Sequence, residues 1–405
     1  MPNKIDETEE SSSDAVKTED SLLPPVQDEL PAEEEVQRVN GFGHDTDEED
    51  LHEEPEEVPM EAKSIEATLN DVKLGEPQHY RNMSVFPLLF SGKSKLEYTM
   101  LRKALKQEHI MITEISENGS VPELKLFNVT ESYILLLDGE ELEGAKQNRV
   151  LNTTLLVYPK SELKVPVSCT EQGRWNRVSA AFHDSEKIMF SRARGNKMSS
   201  VHQSLKYGGG YQSNQSEVWK DISQLQNKLN IHSPTSAMKD IYDKEKDNLD
   251  DFLKAFPVIG GQCGIIVGLG GHVVGLEYLS SSDCYLDVHS QLIESYTMDA
   301  LDEIFSKVST LKEGEFRQVG QKVRQELTIE ETQRFLEKIW SASYETYPSA
   351  AAGKDVRLES EDIVGSGLVE KEELIHLSAF ARQRENKRLS HRIAGYRHRS
   401  RDQWS

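Results

Sequence analysis

Apolar and polar positions alternate in two different rhythms along this chain, and the change of rhythm divides it. From Ile110 to Ser168, short apolar or alternating runs recur about every ten residues: MITEIS, ELKLFN, YILLL, VLNTTLLVY and LKVPVS. Gly, Asn, Pro and acidic turns separate them, and their β-branched content predicts sheet. Before them, VFPLLF (Val85–Phe90) and an amphipathic stretch from Leu96 to Leu105 open the apolar part of the chain. Met198–Asn214, which includes KYGGGYQ, has neither rhythm and reads as a loop. The period then becomes helical: Trp219, Ile222, Leu225 and Leu229 share one face, and after Pro234 so do Ile241, Leu249, Phe252 and Phe256.

Strand character returns in QCGIIVGLGGHVVGLEYL, where Gly270–Gly271 supply the positive φ angles of a tight hairpin. A helix is expected from about Ser290 to Val308. VRLES, IVGSGLV and LIHLSAF read as closing strands, the last two joined at Glu370–Glu373. The pattern predicts an α+β fold: a single large domain with a mainly antiparallel sheet and several packed helices. No internal repeat is present.

Composition marks off the two ends. Residues 1–60 hold 21 Asp or Glu against Lys4, Lys17 and Arg38, so they carry −18 of the formal −23 charge. Acid runs of this kind cannot bury enough apolar surface to offset the entropy of ordering. The expected organisation is a disordered acidic tail over 1–72, a globular domain over 73–381 and a basic C-terminal tail over 382–405. A net-negative body excludes a large nucleic-acid footprint, leaving only the basic tail for such contacts. The first twenty residues are acidic and Ser-rich without an apolar h-region, and no run of about 18 apolar residues occurs, so a soluble protein is expected. Cys169, Cys263 and Cys284 form no disulfide framework or metal spacing, so a reducing, cytoplasmic location is expected.

Chemistry concentrates in two places. In YILLLDGEELEGAKQNRVLNTTLLVYP, Asp138, Glu140, Glu141, Glu143, Lys146, Gln147, Asn148 and Arg149 form a dense polar cluster between two apolar strands. Carboxylates there suit a general base or Mg²⁺, and Lys146 and Arg149 suit phosphate or carboxylate oxygens. The plain alternative is a solvated turn whose ion pairs contribute roughly 0–1 kcal/mol each. In KVPVSCTEQGRW, Glu171, Arg174 and Trp175 combine an acid or base, an anion clamp and a stacking surface. The alternative is a buried Trp with a salt bridge beside it.

Other features have plainer readings. Cys169 has no assignable base partner and is expected to be a buried thiol. Cys284, Asp287 and His289 match no zinc spacing. GLGGHVVG is a hairpin rather than a phosphate loop, because GxGxxG from Gly268 would need glycine where Val273 stands. KYGGGYQ can be a lid over a ligand or a connector, and the connector is the default.

The segments GEELEGAKQNRVLNT (Gly139–Thr153) and PVSCTEQGRW (Pro166–Trp175) resemble the ARG and rhodanese-phosphatase-superfamily-associated protein domain family. SPTSA (Ser233–Ala237), SYTMDAL (Ser295–Leu301) and HLSAF (His376–Phe380) extend the resemblance over Asp71 to Phe380. It implies an enzymatic setting shared with ADP-ribosylglycohydrolases and a phosphatase of the rhodanese superfamily, and these become the candidate partners. The implied function is a hydrolase of ADP-ribose-like or other phosphorylated sugar–nucleotide ligands. Glu140, Glu141 and Glu171 would be the catalytic candidates, and Lys146, Gln147, Asn148, Arg149, Asn152, Arg174 and Trp175 would bind substrate. No cofactor motif is evident, and Mg²⁺ is the cation these groups suit. The alternatives are a binding module for the same ligands and an interaction protein that uses its charged tails.

Overall fold

Residues 262–269, QCGIIVGL, are buried along their whole length, and their side chains alternate between two cores. Ile265 and Val267 enter one core while Cys263 and Ile266 enter the other, so a strand covered on both faces reads as a continuous apolar run. This strand lies within the largest sheet of the computed structural model, which describes residues 59–90, 92, 94–116, 119–309 and 326–382.

In chain order the first elements are α1 (Met60–Asp71), β1 (Lys73–Leu74), β2 (Gln78–Tyr80), β3 (Met83–Leu89), β4 (Tyr98–Met100) and α2 (Leu101–Lys106). Then come β5 (Ile110–Glu114), β6 (Glu123–Asn128), β7 (Tyr133–Leu136), β8 (Glu140–Gly144), β9 (Arg149–Leu151), β10 (Leu155–Val157), β11 (Ser161–Cys169) and β12 (Phe182–Ile188). Four helices follow, α3 (Ser191–Lys206), α4 (Gln215–Lys228), α5 (Lys239–Lys244) and α6 (Lys246–Ala255), then β13 (Gln262–Leu269) and β14 (His272–Leu279). The remainder is α7 (Ser282–Ser309), α8 (Ile329–Trp340), β15 (Ser343–Pro348), β16 (Lys354–Glu359), β17 (Ile363–Glu370) and β18 (Glu373–Ala381).

The nine-stranded sheet runs β1-β3-β13-β14-β18-β17-β16-β15, with β2 also on β3, and every pairing in it is antiparallel. A six-stranded sheet runs β12-β8-β9-β11-β6-β5, and a three-stranded one joins β10, β7 and β4, the last pair parallel. One core packs α3, α4, α6 and α7 between the sheets; a second lies beneath α1 and α8; a third lies around β6, β9, β11 and α2. The α+β architecture with mainly antiparallel sheet is therefore present. The β13–β14 hairpin turns at Gly270 and Gly271, with φ of +56° and +86°. No helix among the described residues is long and apolar enough to cross a membrane.

Four sequence expectations need correction. Residues 60–71, placed in the acidic leader, form α1, which buries Ala62, Ile65 and Leu69; the acid run stops short of this helical spacing. The leader up to residue 58 and the tail from residue 383 lie outside the described residues. Met198–Asn214 is not wholly a loop, because α3 continues to Lys206. Its inner face carries Arg194, Lys197 and His202 alongside Ala193, Met198 and Val201, so buried polar side chains conceal the apolar period. Three helices rather than two fill residues 215–255, and α7 begins at Ser282, eight residues before the expected start.

Candidate functional site

A further correction concerns the polar cluster itself. Residues 140–151 are not a loop between strands but a two-stranded hairpin, with Glu141 opposite Val150 and Leu142 opposite Arg149. Most of its polar side chains are buried: Glu140, Glu141, Gln147, Asn148 and Arg149 are each at most 5% exposed. The turn, Ala145–Asn148, faces the end of β11 and the Thr170–Trp175 segment, so the two chemically rich stretches of sequence meet.

Arg174 fixes that meeting. Its Nε and Nη2 donate to Glu171 Oε2 at 2.8 and 2.6 Å. Nη1 donates to the carbonyls of Ala145 and Asn176 at 2.9 and 3.0 Å, and Nη2 also reaches Gly144 O at 3.3 Å and Asn148 Oδ1 at 3.0 Å. The same Glu171 oxygen accepts the Asn148 backbone N–H at 3.2 Å. Burial alone would raise the Glu171 pKa, but the bonds from Arg174, Thr235 and Asn148 outweigh it and hold the group below the usual carboxylate range. The pair is a clamp on the turn, and its charges are spent on the chain itself. Gly173 is required beside it, because a Cβ there would sit 2.9 Å from Thr235 Cα. Through this approach the SPTSA segment docks, with Gly173 N–H on Thr235 O and Glu171 bridged to Ala237.

Arg149 is different. It is fully buried, yet only Nη1 is engaged, donating to Gln147 O, Gln147 Oε1 and Asn148 O at 3.1–3.4 Å. Nε and Nη2 have no hydrogen-bond partner, and Nη2 lies 3.9 Å from Glu114 Oε1. Burial lowers the pKa of this guanidinium. Over it lies Trp175, 47% exposed, with the Arg149 Cζ 5.8 Å and the Lys146 Nζ 5.4 Å from the indole centre. Cys169 stands opposite Arg149 across the β9–β11 ladder and donates its Sγ–H to Gln147 Oε1 at 3.1 Å. Burial pushes its thiol up to about 11 despite the pull of Arg149.

Glu140 and Glu141 occupy successive strand positions and so project from opposite faces. Glu141 Oε1 accepts from Thr170 Oγ1 at 2.6 Å, whereas Oε2 has no partner, and burial pushes the carboxyl up to about 7. Glu140 Oε2 accepts the Leu137 N–H at 2.7 Å, and burial raises that group to about 8. Asn152 lies at the open end of the hairpin, accepting from Ser168 Oγ at 2.7 Å and donating to Tyr211 O at 3.0 Å. The structure thus gathers Lys146, Gln147, Asn148, Arg149, Glu171, Arg174 and Trp175 at the turn, with Glu141 beside Thr170. Glu140 and Asn152 belong to the other end.

Glu114 was missed by sequence reading because nothing in MITEIS distinguishes it from an ordinary strand-end acid. Gln215, whose side chain accepts from Cys169 N–H at 2.7 Å and donates to Cys169 O at 2.9 Å, carried no signal either. Among the described residues, no group of three or more His, Cys, Asp or Glu side chains is placed to hold a metal ion.

The sequence profile of the ARG and Rhodanese-Phosphatase-superfamily-associated Protein domain matches residues 71–380, which include both segments and the docked SPTSA turn. The chain belongs to this family. Its name ties the domain to ADP-ribosylglycohydrolases and to the rhodanese-phosphatase superfamily. Comparison with curated proteins and with solved structures gave no match. Within this family domain, the GEEL, KQNR and EQGRW residues divide into a clamp, Glu171 with Arg174, and an unsaturated group, Arg149 with Trp175.

Proposed function

We propose that the domain is a hydrolase of ADP-ribose-like or other phosphorylated sugar–nucleotide ligands, bound at the β8–β9 turn. The observation that carries this reading is the Arg149 guanidinium: buried, with two donor positions unpaired, beneath a half-exposed indole. Unpaired buried donors call for an acceptor-rich ligand, and a guanidinium matches phosphate oxygens in geometry as well as charge. Trp175 adds a half-exposed indole for a base to stack on, and Lys146 a further cation whose Nζ lies over the ring at 5.4 Å. Glu141, poised near neutrality with one oxygen unbonded, is the general base of this reading. Mg²⁺ would enter with the ligand, held by its phosphates and one or two carboxylates. The family's association supports partners that handle the same ligand class.

A binding module is the second reading, and one observation favours it: Glu171 is committed to Arg174, and Glu141 is fully buried. Turnover of ADP-ribose, its phosphates and ADP-ribosylated protein, with and without Mg²⁺, separates the two. Product formation that E141Q abolishes while binding persists supports the hydrolase. Binding without product from any substrate makes the domain a reader, and absence of both removes the site.

A further inference from the structure

A carboxylate stands beside the open edge of Arg149, and neither chemically rich segment supplies it. Glu114 is the last residue of β5, the edge strand of the six-stranded sheet. Its side chain is 7% exposed, and its Oε1 lies 3.9 Å from Arg149 Nη2. The same oxygen accepts the Lys146 backbone N–H at 3.4 Å, which holds the carboxylate against the turn. Oε2 is buried and has no hydrogen-bond partner. Gly119, at φ +77°, comes so close that a Cβ on it would stand 3.4 Å from Oε2 and 3.2 Å from Lys146 Cδ.

Arg149 and Glu114 therefore present unmet donors and an unmet acceptor side by side. The Nε–Nη2 edge of the guanidinium is a donor pair spaced for two oxygens of one phosphoryl group. Glu114 Oε2 only accepts, and calls for an O–H or N–H. A ligand oxygen held by Nη2 at about 2.9 Å would lie within about 7 Å of Glu114 Oε1. At an effective dielectric of about 20, repulsion over that distance opposes each negative charge on the ligand by more than tenfold in affinity. Glu114 thus offsets much of what Arg149 offers a charged ligand. A second charge on the phosphoryl group gains little from the pair and must still leave water, which disfavours it. A terminal phosphate also presents acceptors alone, whereas an esterified one can turn its sugar arm, with hydroxyls, towards Oε2.

The approach to this edge is past Trp175. The indole lies over Arg149 and is 47% exposed, and among the described residues no hydrogen bond holds its N–H. Exposed side chains change rotamer readily, so the ring can swing about its own bonds while Arg174 keeps the main chain around it in place.

We propose that Glu114 sets the charge specificity of the hairpin-turn site, favouring a phosphoryl group esterified on both sides, with one negative charge, over a terminal phosphate with two. This role rests on the reading of that turn as a phosphoryl-binding site, and narrows its ligands to internal phosphates such as those of a pyrophosphate linkage. The test is calorimetric binding of the full chain to ADP-ribose, AMP and the methyl ester of AMP, which differs from AMP by one charge on the phosphoryl group. Wild type is expected to bind the ester more tightly than AMP at pH 8 and about equally at pH 5, because the second phosphate proton leaves near about pH 6. E114Q is expected to strengthen AMP binding at least about tenfold relative to the ester. Gln keeps an oxygen for the Lys146 N–H, and the wild-type comparison decides the matter if the variant does not fold. A wild type that prefers AMP at pH 8, or an E114Q variant with an unchanged ratio of the two affinities, overturns the role of Glu114. If that binding is lost in R149Q, the hairpin-turn reading still stands. No binding of any of the three ligands, or binding that survives R149Q, removes the hairpin-turn reading and the role of Glu114 with it.

Discussion

Trp175 covers Arg149: the guanidinium carbon lies 5.8 Å from the indole centre, and the ring is what separates a fully buried, half-satisfied cation from water. Within it, Nε and Nη2 have no hydrogen-bond partner, and Glu114 stands 3.9 Å from Nη2. Removing the ring therefore exposes the cation and deletes the stacking face together. W175A is expected to destabilise the domain by about 0.5–2 kcal/mol, the range for such a cation–π contact. It should also weaken ADP-ribose binding by more than tenfold. Urea denaturation and calorimetry measure the two effects, and an unchanged affinity would remove Trp175 from the ligand site.

Arg174 is a clamp, so its loss should appear in stability. R174Q leaves Glu171 buried against the Asn148 N–H without its counter-charge, which costs roughly 3–5 kcal/mol for a buried pair. The double variant E171Q/R174Q should lose less than the two single losses added together, since the partners interact directly. A double-mutant cycle in urea checks this. Additive losses would mean the two groups act independently.

Cys169 should be a slow thiol. Burial holds it at about 11, so at pH 8 almost none is thiolate, and thiolate is the reactive form. Alkylation by iodoacetamide, followed site by site by mass spectrometry, should be far slower at Cys169 in the folded protein than in urea. It should accelerate as pH rises towards 10. Rapid modification at pH 7 would instead indicate an activated nucleophile.

Glu141 makes stability depend on pH. Its folded pKa, about 7, lies above its ordinary value of 4.5, so the folded state binds its proton more tightly. That contribution is complete below pH 4.5 and is lost as pH rises through 7, at most roughly 3 kcal/mol at about 1.4 kcal/mol per unit. Gln mimics the protonated acid, so E141Q should flatten the fall in Tm between pH 5 and 8 and be the more stable protein at pH 8. Parallel Tm profiles for wild type and E141Q would contradict the burial of this carboxyl.

Elements built on apolar periodicity were legible in the chain. Ile222 and Leu225 of α4, the Gly270–Gly271 hairpin and the strand around Leu368 are specified by local spacing and turn chemistry, and local rules suffice for them. The same reading singled out Glu140–Arg149 and Glu171–Trp175 as the chemically rich polar stretches, which the fold brings together. It could not show that the first is a buried hairpin, because a strand of Glu, Gln, Asn and Arg has no hydrophobic signature when its burial is balanced by partners far along the chain. Helix α3 escaped for the same reason: Arg194 and Lys197 face inward only because Glu277 and Asp138 are there to receive them. Hydrogen bonds such as Arg174 to Asn148, 26 residues apart, or Arg357 to Thr153, 204 apart, depend on which surfaces the packed sheets bring together. The sequence determined where strands, helices and reactive side chains lie along the chain. Tertiary structure decided which polar side chains were spent on the fold and which N–H groups, on Arg149 and Arg357, were left without a hydrogen-bond partner, because only burial turns such a donor from a solvated group into one that requires a partner.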